Sequence, residues 1–347
     1  MLVRFLYKSE SVLFPRYHTD YRYGRYTIRG IRPNVQYRMT SVDGSWEIVT
    51  NGRGFRNTKD FSYSKPGNTF RVLSLGDSHT QGYEVRQDST FSAVLERYLG
   101  RSARNAEVLN SGVSGFGTAE ELVFLENEGA RYQPDAVVLG FFANDFLDNV
   151  QSGLFGLDAQ NQLTEQKFEH IPGVLIQNVI YSVAITRWLS ENSYFYSLLF
   201  NNVWNSVKKW RQSYAAKGDV SAFAGEGVEY AVPAGTRYTV YQVALAAALI
   251  ERMHRFCADR HIRFIVIDIP RTLGPHRFVS SLPPVLREKL AAAQVEYISS
   301  ESLLRNFDGV AEFHAPHGHH HISELTHMLA GIEIGRRLLA PAGAKGN

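Results

Sequence analysis

A single cysteine, Cys257, in a chain of 347 residues excludes an intrachain disulfide and any Cys-x-x-Cys zinc site. That count is compatible with a reducing compartment without requiring one. Long apolar runs are also missing. The first residues, Met1 to Lys8, hold no stretch of signal-peptide length, and no window elsewhere reaches the roughly 20 residues that crossing a bilayer takes. As given, the chain is expected to be soluble and reads as cytoplasmic, its compartment otherwise open. Nor is there an excess of one charge. Lys and Arg number 37 against 34 Asp and Glu, and a net +3 spread along the chain gives no argument for nucleic acid. With 44% apolar and 20% charged residues the chain is long enough to bury a large core, and no disorder class applies.

What is present divides into three. Residues 1–70 are rich in Tyr, Arg, Gly and Asn, and short alternating runs at Tyr26–Arg29 and Trp46–Thr50 predict strands joined by turns. From Arg71 apolar strands alternate with helical stretches: Arg71–Leu75, Glu107–Asn110, Asp135–Gly140, Arg263–Ile269 and Val295–Ser299. Continuous apolar strands are buried on both faces, which predicts a mainly parallel sheet between two helical layers. Val243, Ala246, Ala247, Ile250, Met253 and Cys257 fall at helical spacing, so Cys257 belongs to a buried stripe and not to a reactive site. Between them, 149–232 is an insertion without clean strand alternation, containing Val174–Val183, the aromatic Tyr194–Trp204 and the basic Lys208–Arg211. It is expected to form helices capping the carboxyl ends of the strands, as a packing appendage, a substrate-shaping lid or, less favoured, a membrane-surface patch. The predicted fold is a flavodoxin-like three-layer α/β/α sandwich of about five parallel strands, a main domain over 71–340, with a β-rich extension before it and the insertion after the third strand.

Four segments concentrate at one edge of that sheet. The first strand runs into Gly76-Asp77-Ser78, where a hydroxyl can face a substrate and the following helix's amides can receive developing negative charge. Taken alone, Ser78 is equally a helix N-cap. The second strand leads into Asn110-Ser111-Gly112-Val113-Ser114-Gly115-Phe116-Gly117, whose glycines let backbone amides approach a ligand. It is not a dinucleotide fingerprint, because Glu120 stands where a third glycine is needed. The third strand leads to Asn144-Asp145, where the Asn144 amide suits an oxyanion and an Asn-Asp turn is the plainer alternative. Near the end, His314, His317, His319, His320 and His321 precede a helix with Ser323 as its expected N-cap. A neutral imidazole at His321 can take a serine proton and return it to a leaving alcohol.

In this order the segments resemble the SGNH hydrolase family, also called GDSL esterases and lipases, over roughly 71–150 and 236–335. The resemblance implies Ser78 as nucleophile, Gly115 and Asn144 as oxyanion donors, and His321 as base. It also implies a carboxylic ester of a carbohydrate or lipid as substrate, with no metal or organic cofactor required. Acyl transfer to a glycan is the nearest alternative, and a decayed, purely binding module the more distant one. Asn51-Gly52-Arg53-Gly54-Phe55-Arg56 resembles an Asn-x-x-Gly-Phe-Arg segment of a bacterial branch of the family, implying that 1–70 packs on the catalytic domain.

The chain departs from the pattern at one point. The family's histidine follows an Asp by two or three residues, and here those positions hold Gly318 and His319. Three possibilities remain open: a Ser-His dyad, a carboxylate from elsewhere in the fold with Glu312 and Asp308 the nearest candidates, or a site that binds without turnover. The alternating His317, His319 and His321 also admit a three-imidazole zinc site, while His79 and His327 read as structural.

Overall fold

The computed structural model describes Leu13, Pro15, 17–102, 105–169, Asn178, 181–200, 202–203, 206 and 237–340. Five parallel strands make the central sheet: β5 (Thr69–Gly76), β6 (Asn105–Asn110), β7 (Ala136–Phe141), β8 (Arg263–Asp268) and β9 (Glu296–Ile298), in the order β6-β5-β7-β8-β9. This is the doubly wound order in which the chain reverses direction across the sheet between its first and third strands, here β5 and β7.

The alternation of side chains across each strand builds two separate cores. Leu73, Leu75, Val137, Leu139 and Val266 face one way, against the helices Thr118–Asn127 and Val240–Ala258. Val72, Val138, Ile265 and Ile267 face the other way, against Phe91–Arg101 and Glu324–Leu339. The Val240–Ala258 helix starts at a capping box in which Thr239 and Gln242 bond each other's backbone N–H. Its buried face holds the predicted stripe, and burial raises the Cys257 thiol to about 12, which keeps it an inert hydrophobe.

Two antiparallel hairpins form the amino-terminal extension: β1 (His18–Tyr23) with β2 (Tyr26–Ile31), and β3 (Gln36–Thr40) with β4 (Ser45–Val49). The second contributes Tyr37, Met39 and Ile48 to a small core that it shares with Tyr17 and with Tyr83 of the main domain. The insertion differs in detail from the sequence expectation. Asn149 still belongs to the helix Asp145–Ser152, and an unpredicted short hairpin, Phe155–Leu157 with Leu163–Glu165, follows it. The helix Ala184–Asn192 meets the extension, where Tyr17 donates to Glu191 and stacks on Tyr181. Residues 174–177, 179–180, 204 and 208–211 lie outside the described residues. Among the described residues no helix is long and apolar enough to cross a membrane.

Candidate active site

Strand register brings the sequence segments together. Gly76 pairs with Gly140 and Ser74 with Asn110, so the loops after β5, β6 and β7 leave the sheet at one level. Gly76 has φ +150°, and a Cβ there would stand 2.0 Å from Thr80 Oγ1, which tucks beneath the strand end to donate to the Leu75 carbonyl. That close approach is the local reason for glycine before Asp77-Ser78.

Asp77, not Ser78, caps the one-turn helix Ser78–Gln81, its Oδ1 accepting the His79 N–H at 2.8 Å. The N-cap alternative for Ser78 is thereby removed. Its Oγ instead lies 2.9 Å from His321 Nε2, both side chains being fully buried.

On its other side His321 meets a carboxylate that sequence reasoning missed. Nδ1 is 3.1 Å from Glu84 Oε2, and the same carboxylate accepts the backbone N–H of His319 at 2.9 Å and of His321 at 3.2 Å. Burial raises the Glu84 pKa, but the bond and charge of His321 and the contacts with His319 outweigh it and bring the group down to about 2. An ionised Glu84 requires the proton on Nδ1. Nε2 is then the acceptor, with Ser78 O–H donating to it. Glu312 and Asp308, the two candidates the sequence offered, are both exposed, whereas His321 is buried.

Glu84 follows Ser78 by six residues and has φ +62°, the left-handed region a glutamate rarely occupies. The turn that holds it is braced by Arg56, whose buried guanidinium donates to the carbonyls of Gln81 (3.0 Å), Gly82 and Val85 (2.8 Å), and to the Gln87 side chain. Burial lowers the Arg56 pKa to about 10. The Asn51–Arg56 segment thus has a structural task. Asn51 Oδ1 accepts the N–H groups of Arg53 and Phe55, shaping the turn that delivers Arg56.

In the loop after β6 the N–H groups of Ser111, Gly112, Val113, Ser114, Phe116 and Gly117 are each bonded within the chain. Gly115 N–H has no such bond among the described residues, while the Gly115 carbonyl accepts from Arg29. Asn144 stands at the same edge, partly exposed, with Nδ2 donating to Asp148 at 3.0 Å and also toward Asp77. Its Oδ1 is buried and unbonded. To serve an oxyanion, one Asn144 N–H would have to leave a carboxylate.

The histidines do not converge on a common point. His317 turns to Asp43 (Nδ1 to Oδ1, 2.7 Å), His320 Nδ1 contacts the Ala315 carbonyl, and His321 lies between Ser78 and Glu84. Among the described residues no three His, Cys, Asp or Glu gather as a metal site. His79 and His327 are buried and accept the backbone N–H groups of Ile322 and Phe91. Ser323 caps the last helix as expected.

Residues 74–278, more than half the chain, match the family model described as the GDSL-like Lipase/Acylhydrolase family. The chain belongs to this family. Its members are SGNH hydrolases that act on esters. Among solved structures it is similar to a lipase/acylhydrolase from Enterococcus faecalis, at 16% identity and TM-score 0.42, covering 78% of this chain and 95% of the other. It is also similar to a mutant of an acetyl-xylooligosaccharide esterase from Geobacillus, at 12% identity and TM-score 0.41, covering 80% and 98%. An acetyl xylan esterase matches at 9% identity and TM-score 0.41, covering 78% and 100%. No curated protein sequence matches. Within this GDSL-like chain, the sheet edge carries both the Gly76-Asp77-Ser78 block and a buried line of contacts from Ser78 through His321 to Glu84.

Proposed function

We propose that this GDSL-like chain is a serine ester hydrolase that transfers an acyl group from an ester to Ser78 and then to water. The observation that carries the reading is the buried line from Ser78 Oγ through His321 to Glu84, at 2.9 and 3.1 Å. Glu84 fixes the imidazole tautomer and stabilises the imidazolium that forms when Nε2 takes the Ser78 proton. Ser78 Oγ then bonds to the ester carbonyl carbon. The resulting oxyanion is held by the N–H groups of Ser78 and Gly115 and by Asn144 once its amide turns from Asp148. His321 returns the proton to the departing alcohol, and a water activated by the same nitrogen cleaves the acyl-Ser78 ester. The substrate is a carboxylic ester of a small alcohol, carbohydrate or lipid, and none of these steps calls on a cofactor.

Steady-state hydrolysis of p-nitrophenyl esters of two, four and eight carbons, together with acetylated xylo-oligosaccharides, tests this. The wild type is expected to turn over at least one of them, and Ser78→Ala to lose the activity by about 10⁴-fold or more while remaining folded. Undiminished hydrolysis by Ser78→Ala would remove the proposal.

A further inference from the structure

The family match spans residues 74–278; the loop carrying His321 lies beyond it and is held in part by a hairpin that lies before it. The turn between β3 and β4 is closed by the Ser41 N–H on the Gly44 carbonyl at 2.9 Å and the Asp43 N–H on Ser41 Oγ at 3.1 Å. This presents the Asp43 carboxylate, only 9% exposed, to the histidine loop. Asp43 Oδ2 accepts the N–H groups of His317 (2.9 Å) and Gly318 (2.7 Å), while Oδ1 meets His317 Nδ1 at 2.7 Å.

Four amides of one loop are thus divided between two carboxylates. Those of His317 and Gly318 go to Asp43, and those of His319 and His321 go to Glu84. Gly318 is clasped between the two supports. A Cβ there would lie 1.8 Å from Glu84 Oε1 and 2.9 Å from Ser41 Oγ. The hairpin is itself anchored to the site, since its core packs on Tyr83, whose ring stands edge-on to the His321 ring at 5.5 Å.

We propose that Asp43 is a positioning residue, through which the amino-terminal hairpin holds the histidine loop so that His321 keeps both Ser78 and Glu84 within reach. The inference rests on the reading of Ser78, His321 and Glu84 given above. A loop is a poor support for a catalytic side chain unless its backbone donors are fixed, because a displacement of about 1 Å at the reacting atoms costs on the order of 100-fold in rate. Three donors converge on the two Asp43 oxygens. Asparagine offers one acceptor oxygen and turns an NH₂ group toward either the two amides or the ring, so it is not a neutral replacement. The His317 ring is 66% exposed and is the dispensable member of the set.

The test compares the full-length wild type with Asp43→Ala, Asp43→Asn and His317→Ala. It reads kcat and KM on p-nitrophenyl acetate, the rate of fluorophosphonate labelling at Ser78, and hydrogen exchange of the peptide spanning 313–323. For both Asp43 variants kcat and labelling rate are expected to fall together by about 10- to 100-fold with KM within threefold, and exchange of the histidine loop to rise. His317→Ala, which keeps the backbone donors, is expected to stay within about threefold of the wild type. A folded Asp43→Asn with wild-type kcat, labelling and exchange would overturn the positioning role alone. A wild type that neither hydrolyses nor labels would overturn the reading of the site and this inference with it.

Discussion

Glu84 Oε2 lies 3.1 Å from His321 Nδ1, although 237 positions separate the two residues. Two further donors converge on the same carboxylate from His319 and His321, and Arg56 fixes the turn from below. In the proposed site the carboxylate that the family pattern places just before the histidine comes instead from Glu84, six residues after Ser78. Loss of that carboxylate has a definite signature. Glu84→Gln is expected to lower kcat by roughly 10²- to 10⁴-fold with little change in KM, since the amide can no longer stabilise the imidazolium. Steady-state kinetics on a short-chain ester measures this, and a loss below threefold would leave a Ser-His dyad as the better description.

The same carboxylate gives a pH signature in stability. Its folded pKa, about 2, is below the ordinary value of 4.5. Its ionised form therefore stabilises the fold above about pH 4.5, and that contribution is lost as pH falls toward 2. The shift corresponds to something on the order of 3 kcal/mol. Asp77 works in the opposite sense. Burial, partly offset by the His79 N–H and by His321, raises it from 3.8 to about 6, so its unfavourable contribution grows as pH rises through that interval. The difference between wild type and Glu84→Gln isolates the Glu84 part. Denaturant unfolding at a series of pH values is expected to show the gap closing between about pH 5 and pH 2, and a gap independent of pH would contradict it.

Asn144→Ala is expected to reduce kcat by about 100-fold, the usual effect of losing one oxyanion donor. Because Asn144 Nδ2 contacts Asp148 before substrate arrives, Asp148→Asn provides a check. If Asp148 merely holds the amide between turnovers, that variant keeps kcat within tenfold while Asn144→Ala does not. Equal losses in the two would assign Asn144 to structure instead of to the oxyanion.

Arg56→Met would leave the carbonyls of Gln81, Gly82 and Val85 without their donor inside the protein. Buried acceptors left unpaired are costly, so a loss of roughly 2–4 kcal/mol is expected, visible as a lower Tm. The turn carrying Glu84 should loosen at the same time, so kcat of the folded fraction is expected to fall as well. Unchanged Tm and kcat would remove Arg56 from the support of the site.

The sheet and the placement of most of the candidate site at its edge were legible because their signals are local. The strands carry short apolar runs such as Val137–Leu139 and Phe264–Ile267, and Ser78, Gly115 and Asn144 stand in the loops after the first three strands of the central sheet. His321 was legible from the capped helix behind it. Glu84 was not, since an acid in Gln81-Gly82-Tyr83-Glu84 looks like an ordinary turn residue, and neither its left-handed backbone nor its distant partner is written in the spacing. The available signal was its place on the loop immediately after the nucleophile's helix, at the same sheet edge. The role of Asp77 as cap also escaped, because both Asp and Ser suit that position. The Phe155–Leu157 and Leu163–Glu165 hairpin was hidden because three-residue strands are too short to show alternation.

An activated Ser78 is tested most directly by fluorophosphonate labelling of the purified wild type and of Glu84→Gln, with the modified residue located by peptide mass spectrometry. Stoichiometric modification at Ser78 is expected in the wild type, with a rate at least about 100-fold slower in Glu84→Gln. A folded wild type that leaves Ser78 unmodified, or a Glu84→Gln that labels as fast as the wild type, would contradict this reading of the site.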